Sequence, residues 1–180
     1  MKERMSRFSD VWRRRIWSRR QVMGKTYTAC RLKKEFRSCV RLPRRKYIFL
    51  SGGTQANLTV IAAALRPHQS AIGAVTAHIN GHETGAVEAT GHKILTVPSL
   101  DGKLTASQVE ELYREQVLEN DAFEHVTKPK LVYISNPTEL GTIYHERELR
   151  KLHEVCQRYG LYLYMDGHVW DTVLPQRTMI

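Results

Sequence analysis

Residues 47–166 predict an α/β domain on a mostly parallel sheet. Three observations carry the prediction. Short β-rich apolar runs alternate with stretches of helical period. Most runs end at Gly, Pro or Asn. Two of the helical stretches carry clear boundary signals, a capping box on one and a terminal glycine on the other.

The elements follow in order. "YIFLS" (47–51) reads as a strand stopped by Gly52 and Gly53, and "TQANLTVIAAAL" (54–65) as a helix ended by Arg66 and Pro67. "AIGAVT" (71–76) is strand-like, "INGHETGAVEAT" (79–90) a weak helix, and "KILTVPS" (93–99) a strand. In "LTASQVEELYREQ", Thr105 and Gln108 form the capping box. "KLVYIS" (130–135) is a strand and "NPTELG" a turn. "HERELRKLHEVCQRYG" (145–160) sets Leu149, Leu152, Val155 and Cys156 on one helical face and stops at Gly160. "LYLYM" (161–165) is the last strand, closed by Asp166 and Gly167.

Ligands of parallel α/β sheets bind at the carboxyl ends of strands, so the residues there are the candidates. Gly52, Gly53 and Thr54 open a helix, where backbone N–H groups and a capping hydroxyl suit a phosphate; such turns also occur without any ligand. His78 lies two residues past a strand, where it can cover a flat ring, move protons, or simply pack. His82 and Glu83 stand near it, but no metal-binding helix motif results, so no metal is expected. Asn136, Glu139 and Thr142 can line a cleft or serve only the turn. Asp166 can cap a helix or hold a heteroaromatic nitrogen protonated. In combination, a phosphate cradle, a ring-covering His and an Asp describe a pyridoxal phosphate site, with the protonated ring as electron sink.

Composition bounds the partners. The formal net charge is +10, but residues 1–46 hold 17 of the 28 basic and three of the 18 acidic residues. That leaves 11 basic against 15 acidic residues for the remainder. The body is mildly acidic, and the basic run has no aromatic platform or recognition-helix pattern, which argues against a nucleic-acid-binding module. Trp12, Trp17 and Trp170 all fall in the two ends. Three cysteines (Cys30, Cys39, Cys156) show no metal spacing and form no even set, so a reducing, cytoplasmic setting is expected. No apolar run approaches the roughly 18 residues of a membrane helix, and no signal-peptide h-region is present. The Arg-rich start shares its composition with mitochondrial transit peptides.

The motifs "FLSGGTQANL", "AHINGHETGAVEATGHKI", "DGKLT", "NPTELGT" and "YLYMDG" resemble, in order and spacing, the threonine aldolase and aromatic amino acid β-eliminating lyase family. These are fold-type-I pyridoxal phosphate enzymes. The resemblance spans residues 47–167 and implies a partial large domain of the aspartate aminotransferase-like fold. It implies phosphate contacts at Gly53 and Thr54, with Gly52 beside them, His78 over the ring, Asp166 at the ring nitrogen, and Glu83 close to His78. The implied reaction is retro-aldol cleavage of L-threonine or a related β-hydroxy amino acid to glycine and an aldehyde. Dimers or tetramers are implied too.

The departures lie at the ends. Where the family reads Asp-Gly-Ala-Arg this chain reads Asp-Gly-His-Val, which puts Val169 at the arginine position. No lysine follows Asp166 to bind the cofactor covalently, and the family's small C-terminal domain is not in the sequence. Loss of activity in this chain is therefore expected. Both ends also fit family sequence read out of frame. Codons compatible with "HVWDTVLPQRTM", begun one base earlier, give "ARLGYGLAPADND"; codons for "RIWSRRQVMGKT" begun at the third base give "NLEQAPGYGED". The expected organisation is thus a poorly ordered basic segment (1–46), a large-domain fragment (47–167) and an out-of-frame tail (168–180). A gene with no such motif in another frame would refute the frame account.

Overall fold

The computed structural model describes Ile48 and residues 50–167, of which those from Gly52 on belong to one compact unit. Tyr47, Phe49, the basic segment 1–46 and the tail from His168 lie outside the described residues.

Helix α1 (Gly53–Ala64) leads into strand β1 (Gln69–Ala74), the one-turn helix α2 (His78–Gly81) and strand β2 (Ile94–Val97). Then come α3 (Ala106–Tyr113), β3 (Lys128–Ser135), α4 (Glu146–Tyr159) and β4 (Tyr162–Asp166). The four strands form one sheet in the order β2-β1-β3-β4, every pair parallel. The α/β prediction holds. β1 pairs with β2 on one side, and the chain then crosses back to lay β3 on the other. The strand order therefore reverses at β1/β3, and in such sheets that point opens a crevice at the carboxyl ends of the two strands.

The buried strands explain the apolar runs. Every residue of β3 from Leu131 to Ser135 is buried, as are Ser70 to Ala74 of β1, because helices cover a parallel sheet. Leu152, Val155 and Cys156 form the buried stripe of α4, and Val109 and Tyr113 that of α3. Tyr113 and Tyr159 stack at 4.5 Å between ring centroids, which joins α3 to α4. Arg158 and the Tyr159 hydroxyl both meet Glu110 beside this contact.

The helix boundary signals hold. Thr105 Oγ1 accepts from the Gln108 N–H at 3.3 Å, and Gln108 Oε1 accepts from the Thr105 N–H at 2.9 Å. Gly160 ends α4 at φ 63°, a left-handed position that favours glycine. At the start of α4 the Glu148 carboxylate accepts from the His145 N–H at 2.7 Å.

Two expectations fail. The helix expected over 79–90 exists only as α2 and a 3₁₀ turn at Glu88–Thr90. Thr84 (φ 55°) and Gly85 (φ 73°) take left-handed conformations that no α-helix continues through. The strand expected over 47–51 is also absent at the described positions, since Ile48, Leu50 and Ser51 lie in no strand. The Gly-Gly turn therefore opens a helix without a described strand before it. Among the described residues no helix is long and apolar enough to cross a membrane.

Candidate active site

Parallel register brings the site together. Tyr133 pairs with Tyr164, and Ser135 with Asp166. Residues two apart on a strand share a face, so these four side chains rise from one face at the carboxyl ends of β3 and β4. There they meet Asn57 of α1. The Tyr133 and Tyr164 rings pack edge to face at 5.7 Å, which steadies both hydroxyls.

Asp166 is the acceptor at the centre. Its Oδ2 takes hydrogen bonds from the Tyr133 hydroxyl at 2.9 Å and from Asn57 Nδ2 at 3.1 Å. The same Asn57 nitrogen donates to Glu83 Oε1 at 2.7 Å. The Tyr164 hydroxyl donates to Asn57 Oδ1 at 2.7 Å. Asn57 is wholly buried and Glu83 is 4% exposed. Two carboxylates thus share one amide nitrogen inside the protein. Glu83 Oε2 is buried with no hydrogen-bond partner among the described residues, and an orphaned buried oxygen of this kind calls for a ligand or water.

His78 joins through a third carboxylate. Its Nδ1 lies 3.9 Å from Glu139 Oε1, which accepts from Ser135 Oγ at 2.8 Å. Ser135 Oγ in turn lies 3.4 Å from the Tyr133 hydroxyl. A polar chain therefore runs His78, Glu139, Ser135, Tyr133, Asp166, Asn57, Glu83, from the segment after β1 to the carboxyl ends of β3 and β4. His78 is half-buried, with the His82 ring 5.4 Å away.

Burial pushes the Tyr133 hydroxyl far above its ordinary range, reinforced by the negative charge of Asp166. Burial, with Asp166 and Glu83 nearby, pushes Tyr164 up to about 12. Both hydroxyls are neutral donors at any physiological pH.

Gly52, Gly53 and Thr54 stand exposed at the start of α1. The N-cap is Gly52, in extended conformation and with no side-chain cap, so Thr54 is a first-turn residue and does not cap the helix as expected. A Cβ added at either glycine would meet no atom within 4 Å. The cradle is thus open, and α1 connects it to Asn57 one turn further on.

Of the predicted residues, Asp166 and Glu83 meet through Asn57, and His78 joins through Glu139. Asn136 and Thr142 serve the turn instead. Asn136 Oδ1 accepts from the Tyr144 N–H at 3.1 Å, and Thr142 Oγ1 donates to the Asp101 carbonyl at 2.7 Å. Sequence reasoning missed Asn57, Tyr133, Ser135 and Tyr164. Their one signal is polarity at positions that the helical and strand periods turn inward.

These groups fit pyridoxal phosphate. The open helix start suits its phosphate, and the half-buried imidazole suits its ring face. The anchored Asp166 carboxylate suits a cationic ring nitrogen, and the unpartnered Glu83 oxygen suits a polar neighbour.

Comparison with known proteins agrees. The chain is 36% identical over 123 residues to the low specificity L-threonine aldolase of a Pseudomonas sp., and 35% identical to that of Pseudomonas aeruginosa. Each match covers 66% of this chain and 34% of the relative, so the chain spans about a third of their length. The solved structure of Leishmania major threonine aldolase superposes with a TM-score of 0.76 at 39% identity, over 90% of this chain and 46% of that one. The pyridoxal-phosphate-bound C–S lyase of Staphylococcus hominis shares the fold alone, with a TM-score of 0.53 at 15% identity. A profile of the beta-eliminating lyase family matches residues 20–168, beginning inside the basic segment. The chain belongs to the beta-eliminating lyase family.

Proposed function

We propose that this chain carries the cofactor-binding part of a threonine-aldolase-like lyase acting on L-threonine or a related β-hydroxy amino acid. The observation that supports it most is the convergence of Asp166, Glu83 and His78 on one polar chain at the carboxyl ends of the strands. When bound, pyridoxal phosphate supplies an electron sink into which the Cα–Cβ bond of the substrate can break.

The protein's part is to hold and to aim. The N–H groups at the start of α1, with the Thr54 hydroxyl, would hold the phosphate, since an uncapped helix N-terminus favours an anion. His78 would cover one face of the ring, its imidazole steadied by Glu139. Asp166 would accept the ring N–H, a charge-assisted contact that favours the protonated ring. Glu83 would present its unpartnered oxygen to polar groups beside the ring, where it can hold or pass a proton. The substrate would be a small amino acid, and the dimer or tetramer that the family resemblance implies is the expected quaternary state.

The test is binding of pyridoxal 5′-phosphate to the 180-residue polypeptide, by equilibrium dialysis and near-ultraviolet absorbance. Asp166→Asn should weaken binding about tenfold, the loss of one charge-assisted hydrogen bond. Wild-type chain that does not retain the compound would refute the reading.

A second reading, a chain that binds the cofactor without turnover, is favoured by where two of the described lysines stand. Lys103 pairs with Glu148 at 2.7 Å and Lys130 with the Gly160 carbonyl, and neither meets the polar chain. Release of glycine from L-threonine by the same polypeptide would exclude it.

A further inference from the structure

Asn57 uses its amide in both directions. Nδ2 reaches Glu83 and Asp166, while Oδ1 accepts from Tyr164. The orientation follows from chemistry, because carboxylate oxygens accept and the NH₂ group must face them. The Tyr164 hydroxyl then donates to the amide oxygen and locks it. Asp166 Oδ2 therefore receives two donors from two different elements, Asn57 of α1 and Tyr133 of β3. Two such bonds fix the plane of the carboxyl group. The other oxygen, Oδ1, accepts no hydrogen bond among the described residues.

We propose that Asn57 is a positioning residue that, with Tyr133, turns Asp166 so that Oδ1 alone meets the ring nitrogen of the bound cofactor. The inference rests on the cofactor reading above. It adds that α1 couples the two ends of the ligand, since Gly53 and Thr54 lie one turn before Asn57 on the same helix. A shift of α1 at its phosphate end would move the donor that aims Asp166. The simpler role, satisfying the buried Glu83 and the half-buried Asp166, affects stability and leaves the bound ring's protonation unchanged. A positioning role changes how firmly the ring nitrogen keeps its proton.

The probe is pyridoxine 5′-phosphate, whose alcohol group needs no covalent lysine and whose near-ultraviolet band reports the ring proton. The full 180-residue chain is titrated with it across pH as wild type, Asn57→Ala, Tyr133→Phe and Tyr164→Phe. Competition by inorganic phosphate reads the phosphate end separately.

Wild type should keep the ring protonated to higher pH than the free compound. Asn57→Ala and Tyr133→Phe should each lower that midpoint by about one pH unit, a tenfold loss, with phosphate affinity changed less than twofold. An unchanged midpoint in an Asn57→Ala chain that binds the probe overturns the proposal and leaves the cofactor reading standing. Wild type that binds inorganic phosphate but not the probe overturns both. If far-ultraviolet circular dichroism shows Asn57→Ala unfolded, Tyr164→Phe decides. It frees the Asn57 amide without touching Asp166, so a lowered midpoint supports the proposal and an unchanged one overturns it.

Discussion

Asn57 and Asp166 stand 109 residues apart in sequence and 3.1 Å apart in the fold, Nδ2 to Oδ2. In sequence the contact joins the first described helix to the last described strand. Its removal has a measurable consequence. Asn57→Ala should leave Glu83 Oε1 without its donor and Asp166 with one donor fewer. We expect a loss of about 1–3 kcal/mol, the usual cost of a buried acceptor left unpaired. The midpoint of urea unfolding measures it. Asn57→Asp should lose more, because it puts a third carboxylate between two others.

Tyr164 gives a pH test with a definite sign. Its hydroxyl titrates at about 12 in the folded chain, above an ordinary value of 10.0. The raised value means that the neutral form is favoured on folding. The stabilisation is fully present below about pH 10 and is lost as pH rises toward about 12. Ultraviolet titration near 295 nm should show a late component that Tyr164→Phe removes. Titration of every described tyrosine near 10 would contradict the burial of this hydroxyl.

Cys156 should be protected by its surroundings. Its thiol is buried on the sheet-facing stripe of α4, and burial pushes it up to about 11. The thiolate is the reactive form, so alkylation by iodoacetamide at pH 8 should be slow in the folded chain and rapid in urea. Peptide mass mapping assigns the label to Cys156 separately from Cys30 and Cys39. Equal rates in both solvents would count against the packing of α4.

Thr105 tests a local signal. Both halves of its capping box are formed, so Thr105→Ala should cost about 1 kcal/mol and Thr105→Ser much less. Thermal unfolding compares the two. An effect of Thr105→Ser as large as that of Thr105→Ala would show that the methyl group, and not the hydroxyl, matters here.

Several elements were legible because their causes are local. The capping box at Thr105 needs only a side chain and an N–H three residues on. Gly160 needs only its own left-handed backbone. The apolar runs at 71–74 and 131–134 announce strands buried on both faces, and the alternation of runs with helices announces their parallel order. The weak helix at 79–90 misled for an equally local reason. Apolar spacing there was tolerable, but Thr84 and Gly85 leave the helical region and turn Glu83 inward.

By itself the sequence determined the α/β class, the parallel strands, the main helix boundaries, and Asp166 and His78 as candidates, while Glu83 entered only through the family resemblance. Those follow from period, capping and strand-end position, all properties of short stretches. Only the tertiary structure decided what holds the candidates. Asn57, Tyr133 and Tyr164 read as ordinary members of a helix and two strands until the register of β3 on β4 sets them on one face. Glu83 then arrives beside Asn57 from 26 residues away and Asp166 from 109. A hydrogen bond needs its partners within about 3 Å, and no pattern within one short stretch can report a distance that the sheet alone creates.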